Sequence, residues 1–175
     1  MTQPLVTNGP RPRQCGNDRQ RTMNAESIES VTVAYPGTTA NYFQCDRLLT
    51  QSISEIVPRL KVSIESAGFW ILHEIDPQGL LKRGGYEIRA ARQILFFHPR
   101  FMARLLRADA AALIEAPLKF GLLELPTGDV SVRWINPAIA FARYGNNALR
   151  DLGEELAAAC DSIVEGGLGA SAQAR

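Results

Sequence analysis

The chain has 175 residues, an apolar fraction of 46%, and 19 lysines and arginines against 18 acids. That length fits one domain with a tail or two, and a net charge of +1 lacks the basic excess of a phosphate-backbone binder, which argues against nucleic acid. The apolar runs fall far short of a membrane span, and no apolar h-region follows the N-terminal arginines. No membrane partner is expected, and the expected location is cytoplasmic.

Cys15, Cys45 and Cys160 are odd in number, far apart and outside any CxxC pattern, which favours free thiols in a reducing compartment. They read as small buried hydrophobes rather than nucleophiles. HxH, HExxH, Walker and GxGxxG patterns are missing, so no metal and no cofactor is expected. Charge is uneven along the chain. Lys82–Arg107 holds seven bases and one acid, and Ala108–Glu165 nine acids and four bases. Such asymmetry suits an anion, or a basic face meeting an acidic one in a dimer.

Residues 1–40 read as a disordered or extended tail, because "TNGPRPRQCGNDRQRTMNAES" has no periodicity with which to offset its ordering entropy. Met23 is a second candidate start, and "SVTVAYPGTT" adds an edge strand before Pro36-Gly37 turns the chain. The single domain is expected over 41–166, with a flexible tail over 167–175. "YFQCDRLL" is a strand. In "TQSISEIVPRLKVSIESAG" the residues Ile53, Ile56, Val57, Leu60 and Ile64 recur at helical spacing, with Ser52 and Glu55 as a capping box and Gly68 as the stop. Pro58 is expected to distort the first turn.

"FWILHEID" reads as a strand with Phe69, Ile71, His73 and Ile75 on one face and Trp70, Leu72, Glu74 and Asp76 on the other. A short helix "PQGLLKR" follows, then the strand "ARQILFFH" and the helix "PRFMARLLRAD". "PLKFGLLEL" and "DVSVRWIN" form a hairpin through Pro126-Thr127-Gly128. Pro137 opens a short helix. Leu149, Leu152, Leu156, Cys160 and Ile163 line one face of a longer one from Asn146 to Glu165. Strand, helix, four strands and helix make a two-layer α+β domain, an antiparallel sheet with helices on one face. Several strands are apolar on both faces, so the helix-free side is expected to be covered by a second subunit or a ligand.

His98 precedes Pro99, so it is first of all a helix N-cap, where an imidazole nitrogen accepts a backbone N–H. A titratable ring at a helix N-terminus can also face an anion. His73 lies on an otherwise apolar strand face. Arg92, Lys119, Arg133 and Glu74 interrupt apolar strands, and they suit the rim of a pocket on the open face with Trp134 or Trp70 as its wall. Arg100, Arg104 and Arg107 form one stripe of an amphipathic helix.

The segments "SAGFWILHEID", "ILFFHP" and "APLKFGLLELPTGDVSVRWINPAIAFARYG", in that order, resemble the bacterial and archaeal family called domain of unknown function 302, over roughly Tyr42 to Gly145. The resemblance implies a fold similar to the TATA-binding-protein class, β-α-β(4)-α, and a homodimer. It implies no activity. The family's usual polar pattern has Asp-His after the second strand, Asn-Pro after the third and Gly-Thr beyond. Here Pro77 follows Asp76, His98 stands in the Asn position before Pro99, and the Gly-Thr is missing.

The resulting expectation is a non-enzymatic homodimer that binds a small anionic ligand through His98, His73, Arg92 and Arg133. Two alternatives stay open: an enzyme using His98 or His73 as acid–base, and a protein-interaction module docking through its basic helix.

Overall fold

The computed structural model describes residues 30–169. Cys15, Met23, most of the expected N-terminal tail and the last six residues lie outside the described residues. In chain order the elements are β1 (Val31–Thr32), β2 (Gln44–Leu49), α1 (Ile53–Ser66), β3 (Trp70–Ile75), α2 (Pro77–Arg83) and β4 (Tyr86–Glu87). Then come β5 (Ala91–Phe97), α3 (Pro99–Ala108), a 3-10 turn (Ala110–Glu115), β6 (Leu118–Glu124), β7 (Val130–Ile135), α4 (Pro137–Ala142) and α5 (Asn147–Leu168). Five strands form one antiparallel sheet in the order β2-β7-β6-β5-β3. β1 and β4 pair in parallel as a separate ribbon.

Helix α1 forms because its five apolar positions fall on one stripe, and all five are buried. At its start the Ser52 N–H and hydroxyl both donate to Glu55 Oε2, at 2.9 and 2.7 Å. The helix runs from Ile53 straight through Pro58. Ser54 and Pro58 are exposed, so water can serve the Ser54 carbonyl that proline leaves without a donor. The β6–β7 turn closes as its residues dictate, with Gly128 at φ 90° and Leu125 N–H donating to the Asp129 carbonyl at 2.7 Å.

One side of the sheet is dry. Ile94, Phe96, Phe120, Leu122, Val132 and Trp134 pack beneath Leu60 and Ile64 of α1, Phe101 and Leu105 of α3, and Leu152, Leu156 and Cys160 of α5. That agrees with the two-layer α+β architecture. The other side carries Leu48, Arg133, Lys119, Gln93, Leu95, Phe97 and Trp70 by the register of the strands. The chain's own residues 33–41 run past this side. The Tyr35 hydroxyl donates to the Glu124 carbonyl at 2.8 Å, and an Arg133 N–H to the Thr39 carbonyl at 3.0 Å. Residues 30–40 are thus anchored to the domain expected to start at 41.

Strand β3 departs from simple alternation. Ile71 pairs with Phe96 but His73 pairs with Leu95, so Leu72 is an extra residue in a β-bulge. The bulge reverses the faces beyond it. Ile71 stays on the helix side, whereas His73 and Ile75 turn to the open side and Glu74 turns toward α1. The sequence places His73 with Ile71, and the bulge corrects that.

Helix α5 also runs further than its apolar stripe suggests, through Gly166 and Gly167 to Leu168. A Cβ on Gly167 would lie 3.2 Å from the Arg59 carbonyl oxygen and from Leu60 Cα of α1. The Ser63 hydroxyl of α1 donates to the Ile163 carbonyl at 2.7 Å. A Cβ on Gly153 would sit 2.8 Å from the Pro137 carbonyl oxygen and 3.0 Å from Phe141 Cβ of α4.

The substitution Gly153→Ala tests this packing. Alanine gains about 1 kcal/mol of helix propensity over glycine, but the backbone clash forces a shift that costs about 1–3 kcal/mol. The urea midpoint is expected to fall, and a midpoint at or above that of the native chain would refute the close contact.

Candidate functional site

His98 is the N-cap of α3. Its Nδ1 accepts the Arg100 N–H at 3.1 Å, which leaves Nε2 as the donor of a neutral ring. The ring stands edge-on to Phe69 and Phe101, with centroids 5.3 and 5.0 Å away. Gly68 lies close by, where a Cβ would be 3.6 Å from Nε2. Capping and aromatic packing therefore account for both sides of this ring.

The other three expected site residues are not gathered around it. His73 is exposed on the open side of β3. Arg92 lies on the helix side, opposite Leu122. It donates to Asp76 Oδ1 at 2.6 Å and to the Ala91 carbonyl at 2.7 Å, with Glu74 at 3.7 Å. Glu74 in turn holds Lys61 of α1 at 3.0 Å, and Asp76 caps α2 through the Gly79 N–H at 3.0 Å. Arg133 is on the open side and bonded to Ser131 Oγ, the Thr39 carbonyl and Gln44 Oε1 at 3.1, 3.0 and 3.3 Å. Alternation along β5 and β7 sets the two guanidiniums on opposite faces, each satisfied by neighbours. A shared pocket rimmed by Arg92 and Arg133 is corrected on that ground. The basic stripe of α3 is also engaged within the molecule, since Arg100 and Arg104 both pair with Glu155 of α5.

A largely apolar cleft lies elsewhere, at the end of the sheet where β6 and β7 part. Their ladder stops at Gly121–Arg133, although β6 begins at Leu118 and β7 continues to Ile135. Pro117 precedes β6 and Pro137 follows β7; neither has an N–H with which to prolong a ladder. Odd positions of β6 face β7, as the Leu125 N–H to Asp129 shows, and Asn136 donates to Phe43 on the β2 side. Lys119 and Ile135 therefore turn their backbone polar groups toward each other across the gap without being paired.

The resulting cleft holds about 280 Å³, with Phe96, Leu118, Trp134, Ile135 and Phe141 among its apolar lining and Lys119 and Glu115 as its charged groups. Glu115 Oε1 accepts from Arg143 at 2.9 Å and from the Tyr144 hydroxyl at 3.0 Å. Among the described residues Lys119 has no acid within salt-bridge distance. Trp134 is 6% exposed, and its indole N–H has no acceptor among the described residues; the ring packs edge-on to Phe120 at 5.6 Å. Cys160 also lines the cleft. Burial, with smaller contributions from Asp161 and Cys45, pushes its thiol up to about 12, so it is a protonated wall rather than a nucleophile. Burial likewise raises the Cys45 thiol. No group of three or more metal-ligating side chains occurs among the described residues.

Sequence reasoning singled out Lys119 on the open face, where the register does set it, and offered Trp134 as a wall of that face, whereas Trp134 packs on the helix side. It missed Glu115 and the parting of the strands. Pro117 and Pro137, which flank the open end of the β6–β7 pair, were the available signal.

The family described as "Domain of unknown function DUF302" matches residues 46–166. A crystal structure of an uncharacterized conserved DUF302 protein from Bacillus stearothermophilus superposes with a TM-score of 0.67 at 16% identity, over 73% of this chain and 99% of that one. No curated protein matches the chain.

Two measurements check the site. His98→Asn keeps a cap acceptor that His98→Ala removes, so Asn is expected to be the more stable variant by about 0.5–2 kcal/mol; equal melting temperatures would remove the capping role. The raised Cys160 thiol makes stability pH-dependent on the alkaline side. Below the ordinary thiol value of 9.0 both states keep the proton and the contribution is complete. Above it the unfolded chain ionises first, so stability falls as pH climbs toward about 12. Urea midpoints of the native chain and Cys160→Ala should converge as pH rises from 8 to 10.5, and a constant gap would contradict the burial.

Proposed function

The chain belongs to the DUF302 family, and from its site geometry we propose that it is a non-enzymatic, homodimeric domain that binds a small anionic molecule in the β6–β7 cleft. One observation carries this reading: an apolar cleft at the point where the β6–β7 ladder stops, with Lys119 as the cation in its lining. Such a site offers burial for a ligand's body and N–H groups for its charge. The competing reading, catalysis by His98 or His73, loses support because His98 Nδ1 is committed to the α3 cap and His73 has no organised partner. The interaction-module reading loses support because Glu155 already engages the basic helix. No helix among the described residues is long and apolar enough to cross a membrane. A cytoplasmic setting is part of the proposal, supported by the free thiols Cys45 and Cys160.

The homodimer rests on the open side of the sheet, where Leu48, Trp70 and Ile135 are 56%, 60% and 43% exposed. A second copy lying on that side would cover side chains that the chain's own residues 33–41 leave bare. We read the order β2-α1-β3-β5-β6-β7-α5 as the TATA-binding-protein-like β-α-β(4)-α class, with α2, α3 and α4 as additions.

Sedimentation equilibrium at micromolar concentration should give a dimer that Trp70→Glu converts to monomer; a native monomer would refute the assembly. A thermal-shift screen of small anions should raise the melting temperature by mass action. If no anion does so, the binding reading fails.

A further inference from the structure

We infer that the β6–β7 cleft is built for a monocarboxylate with a compact apolar body, of the size of benzoate or octanoate. This deepens the binding reading above and rests on it. The first argument is charge. The lining holds one cation, Lys119, and one anion, Glu115, and Arg143 of the segment after α4 pairs with Glu115 at 2.9 Å. Together they leave one positive charge, which a single carboxylate neutralises. A second negative charge on the ligand would face the Glu115 carboxylate across a small space and be repelled.

The second argument is hydrogen bonding. A carboxylate has two oxygens and about four lone-pair sites to satisfy. The parted strands turn the backbone N–H and C=O groups of Lys119 and Ile135 into the gap, and Lys119 is the cation of the lining. Bonds from such donors to an ionised acceptor are stronger than between neutral groups. A neutral alcohol of the same shape would use the same donors less well.

The third argument is size and surface. A cleft of about 280 Å³ is at or just below the roughly 300–1,000 Å³ of small-molecule pockets, which suits a small ring or short chain. Phe96, Leu118, Trp134, Ile135 and Phe141 present ring and aliphatic surface for that body. Phosphate or sulfate would leave this surface against water. A nucleotide would be too large and too highly charged.

The test is a ¹H–¹⁵N titration of the full chain with benzoate and octanoate, with inorganic phosphate, phthalate and benzyl alcohol as contrasts. Benzoate or octanoate should shift the Lys119 and Ile135 amides and the Trp134 indole N–H saturably. Phthalate and benzyl alcohol should bind at least about tenfold more weakly, and Lys119→Met should weaken benzoate by about tenfold or more. Lys119 is exposed, so that variant should fold, and the native titration decides the question independently of it. If phosphate or phthalate moves these resonances at lower concentration than benzoate, the monocarboxylate inference is overturned while the anion-binding reading stands. If no anion moves them, both are overturned. Benzoate shifts scattered over the surface would also overturn the inference.

Discussion

The arrangement of this molecule depends on how closely α5 approaches its neighbours. Gly153 brings it against the first turn of α4, and Gly167 brings it against α1. Neither contact tolerates a Cβ without movement, so α5 is fixed at two points about 20 Å apart, at 1.5 Å of rise per residue. From that fixed position Cys160 forms part of the cleft lining, and Glu155 takes the α3 arginines. The same contact holds Pro137 and Phe141 of α4 along the other side of the cleft.

That gap is a local failure of sheet pairing with a chemical consequence. A β-ladder satisfies its own N–H and C=O groups, and groups left out of it need water or a ligand. Here the pair beyond Gly121–Arg133 is left out, at a place flanked by large apolar side chains. The cost of leaving those groups bare is what a polar ligand would relieve. Closing the gap into a regular ladder would remove both the cost and the site.

Local signals made much of the fold legible in the sequence. The α1 stripe, the Ser52–Glu55 cap, the Pro126–Gly128 hairpin and the Asn146 start of α5 each depend on residues within a few positions of one another. What escaped depends on contacts between distant segments. Leu72 has no compositional mark of a bulge, yet it turns His73 to the opposite face. The extension of α5 through two glycines looks like a frayed end until α1 is seen packed against them. The same holds for the site, because Lys119 and Trp134 are 15 residues apart and share a cleft only because β6 and β7 separate. Glu115 sits in a 3-10 turn that lacks any periodic pattern.

The candidate site therefore moved along the chain for electrostatic reasons. Lys82–Arg107 is the most basic stretch, and an anion would be placed there on charge counting alone. In the fold four of those seven charges are paired. Arg92 is held by Asp76 and Glu74, Arg89 by Glu124, and Arg100 and Arg104 by Glu155. The acidic second half of the chain folds back on the basic first half, so the asymmetry in sequence is a record of internal pairing. What attracts an anion is a cation that the fold leaves without a partner beside a surface that excludes water. Lys119, in an otherwise apolar strand of the acidic half, meets that condition, and Arg89, Arg92, Arg100 and Arg104 do not.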